Sequence, residues 1–535
     1  MRCLALALSL ALALPASAQQ GTGPALGAAS NFGQGLREDI LAGARALGVT
    51  DFRDAVYWSL VETGGRARFD DPRATWPDRV AAWGATATLT VNNGHPNYDD
   101  GATPTSPQAV AGFARHAARL ALRFPNVTGI EVGNEFNSEN FVTGPLKGGS
   151  LDARIAAGTA LLTATRDAVQ AVRPEVRVIG VGVHSIPDGW LAGQLARGGV
   201  TDALVIHPYD TPPDHLARQI GVLRQVPGAA TLLVEITEFG TQDAAAAPDL
   251  LLKGHCEGAR AGVSRLVWYP LHPRGDGYLG LLDDSGTPTP VGLTYAWAQK
   301  HLAGQPVAPL VPDPFTRGCL YGDHTAVLWG AARAVTLPEG ARAADALGRA
   351  AAPRLDPDRV LVVTGRGLTP EVFGFGLQPL VADSFWEFDT PGSFVALARR
   401  GARETALTRR PGQGRGGVPW TPYLGLADDP GVRLTESVLL PGAGTAIVHR
   451  LTLPGDAATL TLDLHLGPAA RSRDGVRLTV RLGDAVLADA PVAPGARFDQ
   501  TLTLPPAPGA VLEIAVAPGD SATGDVTGYR FMLRR

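Results

Sequence analysis

From about residue 30 to 303, short apolar runs alternate with stretches whose apolar residues recur every three or four positions, the rhythm of repeated strand–helix units. Eight strands are predicted, near residues 31–33, 51–56, 87–92, 129–132, 176–181, 203–206, 231–237 and 265–268. Between them, stretches such as 109–123 and 155–172 have the spacing of amphipathic helices. Eight such units in about 270 residues predict a (β/α)8 TIM barrel, which places chemistry at the C-terminal ends of its strands. An open doubly wound sheet is the alternative, but the Gly-rich phosphate turn it needs after the first strand is missing. A last helix over 291–302 is followed by Gln305-Pro306-Val307-Ala308-Pro309, where the period changes. Strands near 326–329, 333–337 and 360–364 then predict a small β domain, with no room for helices of normal length. Beyond about 370 the pattern stays β. Residues 459–464 and 476–482 alternate apolar and polar positions, and 512–516 do so more loosely, as half-buried antiparallel strands do. The expected organisation is therefore a leader (1–18), a barrel (19–304), a small β domain (305–369) and a C-terminal β-sandwich (370–535). The sandwich either binds carbohydrate or braces the barrel. Residues 398–417, rich in Arg and Gly, are expected to form an exposed loop.

The leader is read from Arg2, an apolar run over 4–14 broken only by Ser9, and an Ala16-Ser17-Ala18 cleavage pattern. That run is too short to span a bilayer, and no later stretch of about 18 apolar residues follows. An exported protein, periplasmic or secreted and without a membrane span, is expected; an ordinary N-terminal core helix is the competing reading. A formal charge of −4 over 535 residues is too near neutrality for a dedicated nucleic-acid binder. Lys147, Lys253 and Lys300 are the only lysines, so nearly all basic residues are arginine, which we read as coding bias. Cys3 leaves with the leader. An oxidising compartment would permit a bridge between Cys256 and Cys319, but a sequence does not bring two Cα atoms within bonding distance, and we read them as separate buried thiols. Two cysteines without a histidine cluster, and no HExxH, give no metal site; no metal or cofactor is expected. There is likewise no G-x-S-x-G elbow, P-loop lysine motif or paired CxxC. The Asn126-Val127-Thr128 sequon is too common a pattern to use.

Two carboxylates stand at the ends of the fourth and seventh predicted strands. Glu135 lies in Ile130-Glu131-Val132-Gly133-Asn134-Glu135-Phe136-Asn137, and Glu238 in Val234-Glu235-Ile236-Thr237-Glu238-Phe239-Gly240. A barrel would bring both to opposite walls of one cleft. Cleavage of a glycosidic bond needs one carboxylic acid to protonate the leaving oxygen and one carboxylate to attack or support the anomeric carbon. At about 5–5.5 Å separation the second attacks directly and configuration is retained.

On these residues the chain resembles the clan of retaining glycosidases on (β/α)8 barrels: Asn134-Glu135 after strand 4, Thr237-Glu238-Phe239-Gly240 after strand 7, and Trp268 ending strand 8. Its N-terminal third carries Ala46-Leu47-Gly48-Val49-Thr50-Asp51-Phe52-Arg53-Asp54, Trp58-Ser59-Leu60-Val61-Glu62, Asn97-Tyr98-Asp99 and Arg123-Phe124-Pro125. These are similar to glycoside hydrolase family 39 and its relatives in bacterial exopolysaccharide systems. The resemblance covers roughly residues 30 to 303. It implies an O-glycosyl hydrolase acting by double displacement on a polysaccharide or oligosaccharide. Glu135 would be the general acid/base, with a pKa raised by burial and by its partner's charge, and Glu238 the nucleophile. Asn134 would bond the sugar 2-hydroxyl, Tyr209 in His207-Pro208-Tyr209 would orient Glu238, and Arg53 would keep Glu238 ionised. Trp268 would offer a flat face to the sugar ring. His207, from its place at the end of strand 6, is a candidate substrate contact.

Each assignment has a plainer competitor. Glu131 and Glu235 precede the strand ends and are read as structural carboxylates paired with arginine, although Glu235 is the alternative nucleophile. His184 and His207 serve equally well as satisfied structural histidines or cleft contacts. Trp58, Trp83 and Trp190 are read as core. Arg399, Arg400, Arg403, Arg409, Arg410 and Arg415, with Trp420 and Tyr423 soon after, are read as a solvated loop; the sharper hypothesis is that they attract an acidic polysaccharide. A non-catalytic polysaccharide-binding or scaffold protein on a degenerate barrel is the main rival, and a pure binder has no need of an acid and a nucleophile together. Sugar identity, linkage and oligomeric state have no legible signature.

Overall fold

A computed structural model describes residues 21–535 except 64–65, 93, 391, 393, 414–417 and 457. The expected leader lies outside the described residues. The N-terminal half is a parallel barrel of strands β1 (Ala25–Ala29), β2 (Asp51–Asp54), β3 (Thr86–Val91), β4 (Val127–Val132), β5 (Arg177–Gly180), β6 (Ala203–His207), β7 (Leu233–Phe239) and β8 (Val263–Trp268). β8 pairs with β1, and β5 pairs with β4. The chain after β5 continues as Val183–His184, which pairs with β6, so the sheet closes on itself through residues 181–182. This is the expected barrel.

Helices follow the strands in order: α1 (Glu38–Ala46), α2 (Pro72–Ala81), α3 (Pro107–Arg123), α4 (Leu151–Gln170), α5 (Asp188–Ala196), α6 (Pro213–Leu223), α7 (Ala247–Arg260) and α8 (Pro290–His301). Local chemistry sets several starts. The hydroxyls of Ser106, Ser150 and Thr289 accept from the backbone N–H three residues on, satisfying donors that the first turn of α3, α4 and α8 leaves open. Along α3, Phe113, Ala117, Leu120 and Ala121 form the buried stripe.

The first strand differs from expectation. It is Ala25–Ala29, and residues 31–33 lie in the turn beyond it, with Phe32 buried. An Ala-Leu-Gly-Ala-Ala strand has none of the branched or aromatic residues that mark strands, because its neighbours are close: a Cβ at Gly27 would sit 3.0 Å from the Asp51 carboxylate and 3.2 Å from Val267.

A six-stranded antiparallel sheet follows the barrel, in the order Gly21–Thr22, Pro306–Pro309, Thr316–Tyr321, Thr325–Gly330, Leu361–Thr364, Arg342–Ala344. It is therefore assembled from both ends of the barrel sequence. Cys256 on α7 and Cys319 in this sheet are joined by a disulfide, with Cα atoms 5.6 Å apart, which corrects the reading of two separate thiols. Beside it His255 Nδ1 lies 2.8 Å from the Tyr321 hydroxyl.

From Leu380 onward two antiparallel sheets pack face to face as a sandwich. Leu462, Leu464, Leu478, Val480, Ile514, Val516, Phe531 and Leu533, every second residue along their strands, are its buried core. Residues 398–410 are strands rather than the expected loop: Val395–Arg400 and Arg403–Ala406 form a hairpin, and Thr408–Arg410 joins the other sheet; residues 414–417 lie outside the described residues. Arg403–Ala406 is an edge strand exposed on both faces, so it carries no alternation to read. Its surroundings match the arginines with carboxylates: Arg399 with Glu513 at 2.6 Å, Arg400 with Asp429 at 2.6 Å, and Arg409 with Asp389 at 2.8 Å. Arg415 lies outside the described residues. Leu380 and Trp386, at the start of this region, pack into the same apolar cluster as the barrel.

Candidate active site

Along β2, β4, β5, β6, β7 and β8, alternate residues point into the barrel, and many of them are polar. Asp51, Arg265, Glu235 and Arg177 pair in the lower layer; Arg53, Glu131, His207 and Thr237 form the layer above. The upper layer supports the mouth. Arg53 grips Glu131 with two hydrogen bonds of 2.7 Å, donates to Asn134 Oδ1 at 2.8 Å, and pairs with Glu238. Arg53 is 6% exposed and Glu131 fully buried. Burial by itself would push Glu131 up, but Arg53 and His207 outweigh it and hold the carboxyl at about 2.

Glu238 is aimed by an irregularity. Strict alternation would send Thr237 and Glu238 to opposite faces, yet Thr237 Oγ1 donates to Glu131 inside the barrel while Glu238 meets Arg53 at the same mouth. The register of β7 against β8 shifts between Ile236 and Phe239, and that bulge turns both side chains inward. The Tyr209 hydroxyl donates to the second Glu238 oxygen at 2.8 Å. Burial, then the Glu238 charge, holds that phenol well above its ordinary pKa, so it stays a donor.

Glu135 is presented on a left-handed turn. Gly133 has φ +74° and Glu135 φ +47°, an unusual conformation for a residue with a Cβ. A Cβ at Gly133 would come within 2.7 Å of the Phe136 ring, so only glycine fits before this turn. Asn134 N–H donates to Asn92 Oδ1 at 2.9 Å, and Asn137 exchanges hydrogen bonds with the His184 backbone in both directions. Glu135 Oε1 lies 3.2 Å from His184 Nδ1 and 3.1 Å from His207 Nδ1.

The two imidazoles overturn the expected raised pKa of Glu135. Burial pushes this carboxyl up, but the hydrogen bonds from His184 and His207 outweigh it and hold Glu135 below the usual carboxylate range. The proton sits on the histidines. Burial opposes a charged His207, yet Glu238, Glu131 and Glu135 lift it to about 9; His184 is raised as well, by Glu135 against its own burial. His207 Nε2 is 2.9 Å from Thr237 Oγ1, so a charged ring donates on both sides.

Oxygen atoms of Glu135 and Glu238 and a nitrogen of His207 all lie within 4.8 Å of one another. The glutamates are 8% and 9% exposed, open to the mouth through their tips. Three such ligand atoms could hold a cation. Here, however, the Arg53 guanidinium already lies on Glu238, and His207 Nδ1 is engaged with Glu135.

Of the residues read from the sequence, Arg53, Asn134, Glu135, His207, Tyr209 and Glu238 converge. Trp268 does not: it is fully buried, donates its indole N–H to Leu279 O at 2.9 Å and packs edge-on against Phe239, so it presents no face to a sugar. Arg265 and Val267 face inward, which leaves Trp268 outward and Tyr269 at the mouth. Tyr269, Tyr209 and Tyr278 form a cluster of half-exposed rings, with Tyr209 and Tyr278 centroids 4.9 Å apart. Alternation along β8 was the signal for Tyr269. Glu235 is fully buried between Arg177 and Arg265 in the lower layer, away from the mouth. Trp58 and Trp190 are core, and Trp83 packs against it.

No protein-family model matches the chain, and no curated protein matches it. Solved structures do. The fold is similar to a family 39 glycoside hydrolase from the gut symbiont Bacteroides cellulosilyticus WH2, at 16% identity over 64% of this chain and 81% of that one, with a TM-score of 0.51. A GH30 endoxylanase from Clostridium papyrosolvens C71 matches at 14% identity over 65% of this chain and 97% of its own, with a TM-score of 0.49. A GH39 beta-xylosidase from Caulobacter crescentus matches at 15% identity over 65% and 98%, with a TM-score of 0.48. At 16% identity the likeness to the first of these is one of fold.

Proposed function

We propose that this chain is a retaining glycoside hydrolase in which Glu238 attacks the anomeric carbon and Glu135 acts as acid and then base. The observation that carries the reading is the pair itself: two mouth carboxylates with oxygens within 4.8 Å, one fixed by a guanidinium and a phenol, the other by two imidazoles. That spacing fits direct attack and leaves no room for the water an inverting pair holds between its members. Arg53 and Tyr209 orient Glu238 as an anion. Arg53 holds the Asn134 carbonyl oxygen, so the amide NH2 is the end offered to a sugar hydroxyl.

The charge on His207 supplies the acid. As Glu238 bonds to carbon its negative charge disappears, and with it the largest support for the His207 imidazolium. His207 Nδ1 then passes its proton to Glu135 Oε1 as Glu135 protonates the departing oxygen. In the second step Glu135 takes a proton from water, which attacks the glycosyl-enzyme, Glu238 leaves as a carboxylate, and its restored charge draws that proton from Glu135 back to His207 Nδ1.

The substrate we propose is a polysaccharide or oligosaccharide, a bacterial exopolysaccharide in particular, met outside the cytoplasm after export to the periplasm or beyond. The leader pattern and the Cys256–Cys319 bridge support export, since such bonds persist in oxidising compartments.

The test is release of reducing ends from a panel of bacterial and plant polysaccharides and aryl glycosides by the parent, Glu135→Gln and Glu238→Gln. Cleavage by the parent with loss on the order of a thousandfold or more in both variants is expected. Azide added to Glu135→Ala should give a glycosyl azide of retained configuration. Equal binding of a glycan by all three proteins with no cleavage would instead make the chain a scaffold.

A further inference from the structure

Between the paired strands Thr408–Arg410 and Tyr423–Gly425, Gly412 and Pro422 of the sandwich touch barrel helices. Gly412 N–H donates to Asp188 Oδ1 at 2.6 Å, and Gly412 O accepts from Gly189 N–H at 3.2 Å, both at the start of α5. At the other end Pro422 O accepts from Gln219 of α6 at 3.3 Å. α5 begins just past the C-terminal end of β5, which sets the Gly412 anchor beside the mouth. Trp420 lies between the two anchors in sequence, half-exposed, its ring at 82° to that of His184 with centroids 4.9 Å apart. His184 is the histidine that touches Glu135.

An acid that protonates the leaving oxygen must face the leaving group, so whatever stands beyond Glu135 meets that group and not the sugar being attacked. Beyond Glu135 stand His184, Trp420 and Asp210, whose carboxylate is exposed and accepts from Ser185 at 2.6 Å. A flat indole takes the C–H face of a pyranose ring, and a carboxylate and an imidazole at its edge take hydroxyls. Asp210 offsets the charge of His184, so the wall carries no net charge with which to hold an acidic sugar. We propose that Trp420, supplied by the sandwich, forms the leaving-group wall of the cleft and favours substrates whose leaving group is an uncharged sugar. This rests on the hydrolase reading and extends it, because it makes the sandwich part of the site.

The experiment compares the full-length parent, Trp420→Ala and Trp420→Phe on two substrates of one glycon: the best oligosaccharide from the panel, and the glycosyl fluoride, which has no sugar to lose. The Trp420→Ala loss in kcat/KM should be about tenfold greater on the oligosaccharide than on the fluoride, mostly in KM, with Trp420→Phe recovering much of it. Equal losses on both substrates overturn the proposal. Should Trp420→Ala not fold, hydroxyl-radical footprinting of Glu135→Gln with the same oligosaccharide decides: Trp420 protected supports the wall, and Tyr278 protected with Trp420 unchanged overturns it. If the parent cleaves nothing, the hydrolase reading fails by that result alone. Footprinting with the panel oligosaccharides then still judges the wall, and lack of protection at Trp420 removes it.

Discussion

His207 concentrates the electrostatics of the mouth in one side chain, touching Glu135 and Thr237 and lying within 3.8 Å of Glu131 and Glu238. Its pKa in the fold, about 9 against an ordinary 6.5, has two consequences. Activity should fall as pH rises through about 9, when the proton held for Glu135 is lost, and a kcat/KM profile should show that limb; His207→Gln should lower the rate and remove the limb. Stability follows the same sign. A raised folded pKa contributes fully below 6.5 and is lost as pH climbs through about 9, on the order of 3 kcal/mol for this buried ring. Urea midpoints at pH 6 and pH 10 should differ accordingly, and the difference should shrink in His207→Gln. The two glutamates were legible because each stands in a short motif at a strand end. The low pKa of Glu135 was not, because His184 and His207 come from other strands and only the closed barrel sets them 3.2 and 3.1 Å away. Trp268 was misjudged for a simpler reason: two adjacent aromatic residues end β8, and alternation sends the larger one outward, leaving Tyr269 at the mouth.

Among elements, β7 shows how one irregular pair of residues decides chemistry. Without the register shift against β8, Glu238 would follow Val234 and Ile236 toward the helices. Apolar periodicity located the strand but carried no mark of the bulge, since Thr237 and Glu238 are both polar. The small sheet and α7 are tied by the disulfide, and this link was equally hidden, because spacing along the chain says nothing of a 5.6 Å approach in space. The bridge closes 63 residues, so Cys319→Ser should cost about 4 kcal/mol on the chain-entropy account. The drop in Tm should be matched by treating the parent with reductant, and reductant should then leave Cys319→Ser unchanged.

At the scale of the molecule, barrel, small sheet and sandwich are joined by direct side-chain contacts and a shared apolar cluster. Leu380 and Trp386 share the barrel's apolar cluster, Arg218 of α6 pairs with Asp389 at 3.3 Å, and Arg409 reaches Gln225 at 3.0 Å. Calorimetry of the whole chain is therefore expected to give one unfolding transition, and two well-separated transitions would show that these contacts do not couple the parts. The three-part organisation was readable because period and composition change along the chain. The seams were not, since each joins residues far apart in sequence.

The pairing of Gly21–Thr22 with Pro306–Pro309 bears on the order in which the chain acquires its shape. The earliest described residues cannot take their places until the last barrel helix and the strand after it have been made. A growing chain must therefore carry the barrel's opening strand unpaired on one edge until about half of the chain has been made, and the step that closes the barrel and founds the neighbouring sheet waits for that point. Only after that step do Cys256 and Cys319 have a shared neighbourhood in which to meet, so oxidation would act as a latch on a finished ring rather than as a guide to building it.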